Sequence, residues 1–367
     1  MALRRGRPFS AELEALDFFA QLELPEPGET STVDDRTRRT SAHAQFATAL
    51  DTSLDNKRRL HGWRTQALFE AVVLALGSVK MIKREDTGGF HFDDANGEIN
   101  PPDFRVVTAE GEQLLVEVKN VAPKDVTRPC KLRRQDVLAH RRYAEMNGAR
   151  LVFAHYWAGF KLWTLVDAAH LEERGNRFLL PITTAGLVNE FGALGDAMVG
   201  TRPPLTCALY AEPAAPQIRP AADHTQRVPF TVSRAEFAAA GQVLTDPAQI
   251  RIAQVLMFLG DWEMRAEDDV LDGQIIGTVF TAEPPMGDPE ASAQIAAQGF
   301  AMVGMLSTMY SRWFELATLT EAGEVMALRN DPHPGVLRDL IPADYWERAG
   351  DALPIWKFHQ VPNTGDE

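Results

Sequence analysis

Between Gly62 and Val166 the hydrophobic period of the chain changes in a fixed order, and that order admits few folds. Gly62 to Leu76 repeats at helical spacing and is closed by Gly77, and Ser78 to Lys83 then alternates as a strand. After a Gly/Asn/Asp-rich segment, Phe104 to Thr108 and Gln113 to Val118 flank a turn at Ala109 to Glu112, which predicts a hairpin. Gln135 to Asn147 is helical and stops at Gly148; Arg150 to Trp157 and Phe160 to Val166 are two further strands. Helix, three strands, helix, two strands predicts an α/β sandwich about a mixed sheet.

The rest of the chain divides around this block. Residues 1–60 mix charge runs with a Pro/Gly/Ser/Thr stretch and predict an arm with short helices. Residues 61–210 form the middle domain, 211–229 hold four prolines and predict a linker, and 230–367 form an acidic C-terminal domain expected to be mainly helical. Net charge is −14, from 37 Lys+Arg and 51 Asp+Glu. Glu236 to Glu367 contains 7 basic and 21 acidic residues, which leaves 37 − 7 = 30 against 51 − 21 = 30 before it. The first two thirds are therefore neutral and can carry basic faces toward a polyanion. Cys130 and Cys207 are far apart, with no Cys or His at metal-ligand spacing, so a disulfide framework and a zinc module are both excluded. The basic first residues are followed by Glu12, Glu14 and Asp17, which break any secretory apolar core, so a cytoplasmic location is expected.

Charged residues sit at the end of the apolar strand Leu114 to Val118. Alternation puts Glu117 and Lys119 on one face and Val116 and Val118 on the other. If the hairpin pairs, Asp103 lies beside Glu117. Two carboxylates and one ammonium are costly to desolvate together unless a divalent cation compensates, and oxygen ligands favour Mg²⁺ or Mn²⁺.

Pro102-Asp103, thirteen residues, then Glu117-Val118-Lys119 resembles the signature of the PD-(D/E)XK nuclease superfamily, which includes restriction endonucleases and Holliday-junction resolvases. The resemblance covers roughly Gly62 to Val166. It implies a restriction-endonuclease-like αβββαβ core and a Mg²⁺-dependent phosphodiesterase, with Asp103 and Glu117 as metal ligands and Lys119 positioning the attacking water. It also implies a further acid on the preceding helix, where Glu70 fits, and a Gln on the following helix, where Gln135 fits. DNA is implied ahead of RNA, with a role in restriction or phage defence.

Bland readings stand beside these. Glu70 could form a structural ion pair with Lys80 or Lys83, and Gln135 could cap its helix or face solvent. On the functional reading, Gln135 opens a sheet-facing stripe with Leu138, Ala139, Tyr143 and Met146. His91, His140 and His155 show no ligand spacing, and His155 reads as a hydrogen-bonded core histidine. No phosphate-cradling glycine loop and no nucleophile elbow is present.

Eight basic residues, Lys119, Lys124, Arg128, Lys131, Arg133, Arg134, Arg141 and Arg142, face two acids, Asp125 and Asp136, in the same stretch. That excess suits a phosphate backbone. A metal-dependent DNA endonuclease is the first expectation; a non-catalytic nucleic-acid-binding or assembly subunit on the same fold is the alternative. Ala291 to Ser311 lacks any charge and reads as a buried helix behind an Asp288-Pro289 start. Its polar residues argue against a membrane span, and it is expected to join copies of the chain as a homodimer or higher oligomer.

Overall fold

The computed structural model describes residues 3–6, 10–22, 35–85, 90–93, 97–122, 125, 127–211, 219–220, 226–227, 231–272, 274–285, 299–342, 344–345 and 351–360. Most of the Pro-rich linker, residue Lys124 and residues 291–298 lie outside these. Two helices come first, α1 (Ala11–Gln21) and α2 (Arg36–Asp55), the second capped by Asp35, whose carboxylate accepts from the Thr37 and Arg38 N–H groups. Helix α3 (Lys57–Leu76) begins at Lys57 rather than Gly62, because the Asn56 side chain caps it by accepting from Arg59 N–H. It ends at Gly77, whose φ of +65° is the left-handed cap a side chain would strain.

Strands β1 (Val79–Arg84), β2 (Phe104–Thr108) and β3 (Gln113–Val121) follow, then a short β4 (Cys130–Arg133), helix α4 (Arg134–Met146), β5 (Arg150–Trp157) and β6 (Leu162–Asp167). The central sheet has the order β1-β2-β3-β5-β6. Its neighbours are antiparallel except β3 and β5, which run parallel and are joined through α4, as a parallel pair requires. The protein is thus α/β with a mixed sheet. Strand β4 was not anticipated, since four residues after a polar loop carry no readable period.

Alternation assigns the two faces of β3. Leu114, Val116 and Val118 pack with Leu68, Phe69, Val72 and Val73 of α3. Leu115 and Val121 point the other way, to Phe153 and Trp157 of β5 and Val137 and Ala144 of α4. Strands β7 (Glu172–Arg174) and β8 (Arg177–Leu180) extend this second layer, forming with β4 a sheet of order β4-β8-β7, and the short helix α5 (Ile182–Leu187) follows.

Strand β9 (Met198–Thr201) and β10 (Leu205–Ala211) take their partners from beyond the Pro-rich segment. That segment holds only the two-residue pair β11 (Arg219–Pro220) and β12 (Gln226–Arg227) among its described residues. Strands β13 (Val232–Ala239) and β14 (Gln242–Val243), helix α6 (Pro247–Leu259) and strands β15 (Glu263–Leu271) and β16 (Gln274–Glu283) come next. They give a second five-stranded sheet, β14-β13-β10-β16-β15. Strand β17 (Ala301–Met305), helices α7 (Leu306–Thr318) and α8 (Val336–Leu340) and strand β18 (Ile355–Phe358) complete the chain, with β17-β9-β18 as a third sheet.

Two expectations for this region need correction. It is not mainly helical, since β13 to β18 stand beside α6 to α8. The uncharged run is not one helix: of its described residues, 301–305 form a strand and the helix starts at Leu306. Gly299 and Gly304 have φ of +76° and +143°, which no α-helix contains. An uncharged run satisfies a buried strand and a buried helix equally, so composition could not separate them. Helix α7 buries Leu306, Met309 and Phe314 in the same core as α3 and α6, so the oligomer expected through it draws no support from this face. Among the described residues no helix is long and apolar enough to cross a membrane.

Candidate active site

Asp103 precedes β2, and the register Phe104↔Val116 brings it next to Glu117. Its carboxylate is clamped: Oδ2 accepts the Val118 N–H at 2.7 Å and Oδ1 accepts from Gln66 Nε2 of α3 at 2.5 Å. Glu117 is buried and forms an ion pair with Lys119 on the same face of β3. The sequence reading that both project to one face, away from Val116 and Val118, describes what is seen.

Burial would push Glu117 up, but the facing His140 ring and the Lys119 ammonium outweigh it and hold the carboxyl well below the usual range. Burial would likewise lower Lys119, yet the Glu117 and Asp103 charges leave it raised, so the ammonium persists at neutral pH. Beyond Lys119, burial pushes the Cys130 thiol up to about 11, and this cysteine stays a thiol.

His140 was passed over in the sequence, yet it closes the site. Its Nδ1 donates to the Asn100 carbonyl at 2.9 Å, which aims Nε2 at Glu117 Oε1, 3.6 Å away. The sequence signal is there: Val137, His140 and Ala144 follow i, i+3, i+7 and, with Ala139, are the buried residues of α4. The stripe expected from Gln135 holds at Ala139, which is buried, and at Tyr143, which packs half-buried on the same core, and fails at its two ends. Gln135 is exposed and Met146 is 61% exposed, so neither faces the core. Asp136, half-buried, joins Lys119, His140 and Phe153 in lining a recess of about 230 Å³ that Lys131, Arg133 and Arg177 bound. His155, the cross-strand neighbour of Lys119, is fully buried between Phe153 and Trp157, and its ring nitrogens make no hydrogen bond of good geometry. The expected core histidine is core, but without a well-formed hydrogen bond.

Glu70 pairs with Arg84 at 3.6 Å, rather than with Lys80 or Lys83. Gln66, one turn earlier on α3, is the helix residue that touches Asp103. Among the described residues no three His, Cys, Asp or Glu side chains gather as a metal site, so the trio Asp103, Glu117 and Glu70 is not assembled. The donor set that remains fits a hard cation in chemistry: two carboxylates, with water and a phosphate oxygen left to complete the shell, as Mg²⁺ usually binds.

The basic residues fall on several surfaces. Lys131, Arg133, Arg134 and Arg142 face the recesses beside α4. Arg128 is exposed, 3.8 Å from Asp125. Arg141 is turned away, donating to the Ala168 carbonyl at 2.6 Å and lying over the Phe178 ring. Arg177 and Asn176, outside the predicted basic stretch, line the same recess as Arg133.

No family model and no curated protein matches the chain. Among solved structures, the chain is similar to Hjc of Archaeoglobus fulgidus, a Holliday junction resolvase from an archaeal hyperthermophile. The likeness covers 37% of this chain and 96% of that one at 19% identity, with a TM-score of 0.28.

Proposed function

We propose that the protein is a metal-dependent nuclease that hydrolyses phosphodiester bonds of DNA. One observation carries this reading: buried Asp103 and Glu117 meet where β2 begins alongside β3, and the persistent ammonium of Lys119, paired with Glu117, lines a recess bounded by arginines. Buried charge of this kind needs a reason, and a structural ion pair would need neither Asp103 clamped from both sides nor an arginine rim.

Asp103 and Glu117 would hold Mg²⁺ or Mn²⁺, which supplies charge neutralisation at the phosphate and a more acidic bound water. Lys119, fixed on β3, presents N–H donors toward the recess, where it orients water and stabilises charge developing on the phosphate. His140 and Gln66 are positioning residues. The first directs Glu117 and the second Asp103, so that each carboxylate arrives in a single orientation. Arg133 and Arg177 give the recess the charge that draws in a polyanion.

A binding module without catalysis, built on the same fold, is favoured by one observation, the missing third acid. Incubating plasmid, linear and single-stranded DNA with Mg²⁺, Mn²⁺ or EDTA separates the two. Cleavage that stops in EDTA, and that Lys119→Ala reduces on the order of 10²–10³-fold, supports the nuclease. Retention of DNA with no cleavage under any metal would leave the binding module standing instead.

A further inference from the structure

The strongest unassigned feature lies at the mouth of the site, on the small sheet that the β7–β8 hairpin forms with β4. Arg133 on β4 is directly opposite Arg177 on β8, which in turn is directly opposite Arg174 on β7. Three arginines thus stand in one row across three strands. Like charges directly opposite destabilise strand pairing unless something neutralises them. At one end of the row this is done within the protein, where Arg174 pairs with Glu172 at 2.6 Å; Glu173, the acid nearest in sequence, is taken by Arg134, outside the row. Among the described residues, no carboxylate lies within the 4.0 Å ion-pair distance of Arg133 or Arg177.

These two arginines also border two recesses at once. One is the inner recess that contains Lys119. The other, of about 570 Å³, opens outward between α4 and the hairpin and is lined by Arg142, Asn176 and Gln135 as well. Arg142 is anchored for such a role, its Nε donated to the Glu98 carbonyl at 2.8 Å. An extended anion that entered the inner recess would cross the Arg133–Arg177 pair and leave through the outer one.

We propose that Arg133 and Arg177, flanked by Arg142 and Asn176, form a subsite for a phosphodiester of the same DNA strand that Lys119 addresses. The β7–β8 hairpin, and not the α4 face alone, then grips the strand. The inference rests on the nuclease reading for the identity of the polyanion. Its geometry is that of a phosphate clamp, since planar guanidiniums on facing strands can each offer paired N–H donors to one phosphate.

The test reads binding without chemistry. A fluorescent duplex with 5′-hydroxyl ends is titrated with the full chain in EDTA over a series of salt concentrations. At ~0.9 units of log K per log salt for each phosphate contact, Arg133→Ala/Arg177→Ala, which removes the one clamped phosphate, is expected to flatten the slope by roughly one unit and to weaken binding. Arg133→Lys/Arg177→Lys, which keeps the charge, should restore most of the slope. Arg329→Ala, at an exposed arginine of the acidic third and outside both recesses, should leave it as it was. An unchanged slope in the alanine pair overturns the subsite even if cleavage is intact. A flattened slope in a protein that cuts nothing keeps the subsite and removes only the nuclease reading. A 5′-phosphorylated duplex is the last arm: if it binds more tightly, and only until both arginines are removed, the pair holds a chain end and the internal phosphodiester is refuted.

Discussion

His155 lies between the Phe153 and Trp157 rings, opposite Thr164 and beside the Lys119 charge, and neither ring nitrogen makes a hydrogen bond of good geometry. Burial, with the Lys119 charge added, pushes its pKa down to about 3 from an ordinary 6.5. A histidine depressed in the fold lets the unfolded chain take the proton first, so stability falls as pH drops from about 6.5 toward 3, by at most ~1.4 kcal/mol per pH unit. Asp196 works in the opposite sense, because burial raises it to about 6 and the native state gains stability as it protonates. The two are separated by difference. His155→Phe keeps a ring between two rings and removes the orphan nitrogens, so it should be neutral or stabilising at pH 7. Denaturant titrations at pH 7 and pH 5 should show wild type losing more stability relative to the variant at the lower pH. An equal gap at both would place the titration elsewhere. A second residue-scale expectation concerns His140. If it orients Glu117, His140→Ala should lower kcat on DNA by about 10–100-fold with little change in DNA affinity in EDTA, the range seen when supporting partners of metal ligands are lost. Loss of affinity in step with activity would make it a structural residue.

At the scale of elements, the sequence was most legible where both faces of a strand are buried and least legible where a helix face had to be phased. The strand holding Glu117 and Lys119 can be placed because alternation in Leu114 to Lys119 leaves one answer for which residues share a face, and the hairpin then sets Asp103, just before β2, beside it. On helix α4 the spacing finds Ala139 and Tyr143 on the packed side but misses Val137, His140 and Ala144, because Leu138 and Met146 are as apolar as Val137 and Ala144. That error exchanged His140 for Gln135. On α3 the choice of Glu70 over Gln66 had a different cause. The relevant neighbour of Glu70 is Arg84 on β1, and the relevant neighbour of Gln66 is Asp103, and neither pairing is written in local spacing. Arg177 escaped because its opposition to Arg133 exists only once β4 and β8 pair. The same helix α3 gives a packing prediction. Phe69 is fully buried against the rings of Phe104, Trp163 and Phe191, so Phe69→Ala should cost ~3–5 kcal/mol in denaturant unfolding. Gln66→Leu should cost little stability but misplace Asp103, which metal-dependent cleavage rates would report.

For the molecule as a whole, the C-terminal third is built into the same core as the candidate site. Apolar contacts run without a break from Phe69 and Val116 through Trp163 to Met309, Phe314 and Leu353. Polar contacts cross as well: Trp163 Nε1 donates to Ser311 Oγ at 3.0 Å, Tyr156 Oη to Glu315 at 2.9 Å, and buried Arg64 to Thr318 Oγ1 at 2.9 Å. Strand β9 has both of its partners, β17 and β18, from this region. A chain ended at Ala211 would therefore expose one flank of α3 and β6 and leave Arg64 and Trp163 without these bonds, a loss larger than the few kcal/mol by which domains are stable. We expect the shortened chain to lose its cooperative unfolding transition and its near-ultraviolet aromatic signal, and to be cut rapidly by protease between α3 and β6. Cooperative unfolding of the shortened chain, with the midpoint of the whole protein, would show that the central sheet and its carboxylates stand without the acidic third.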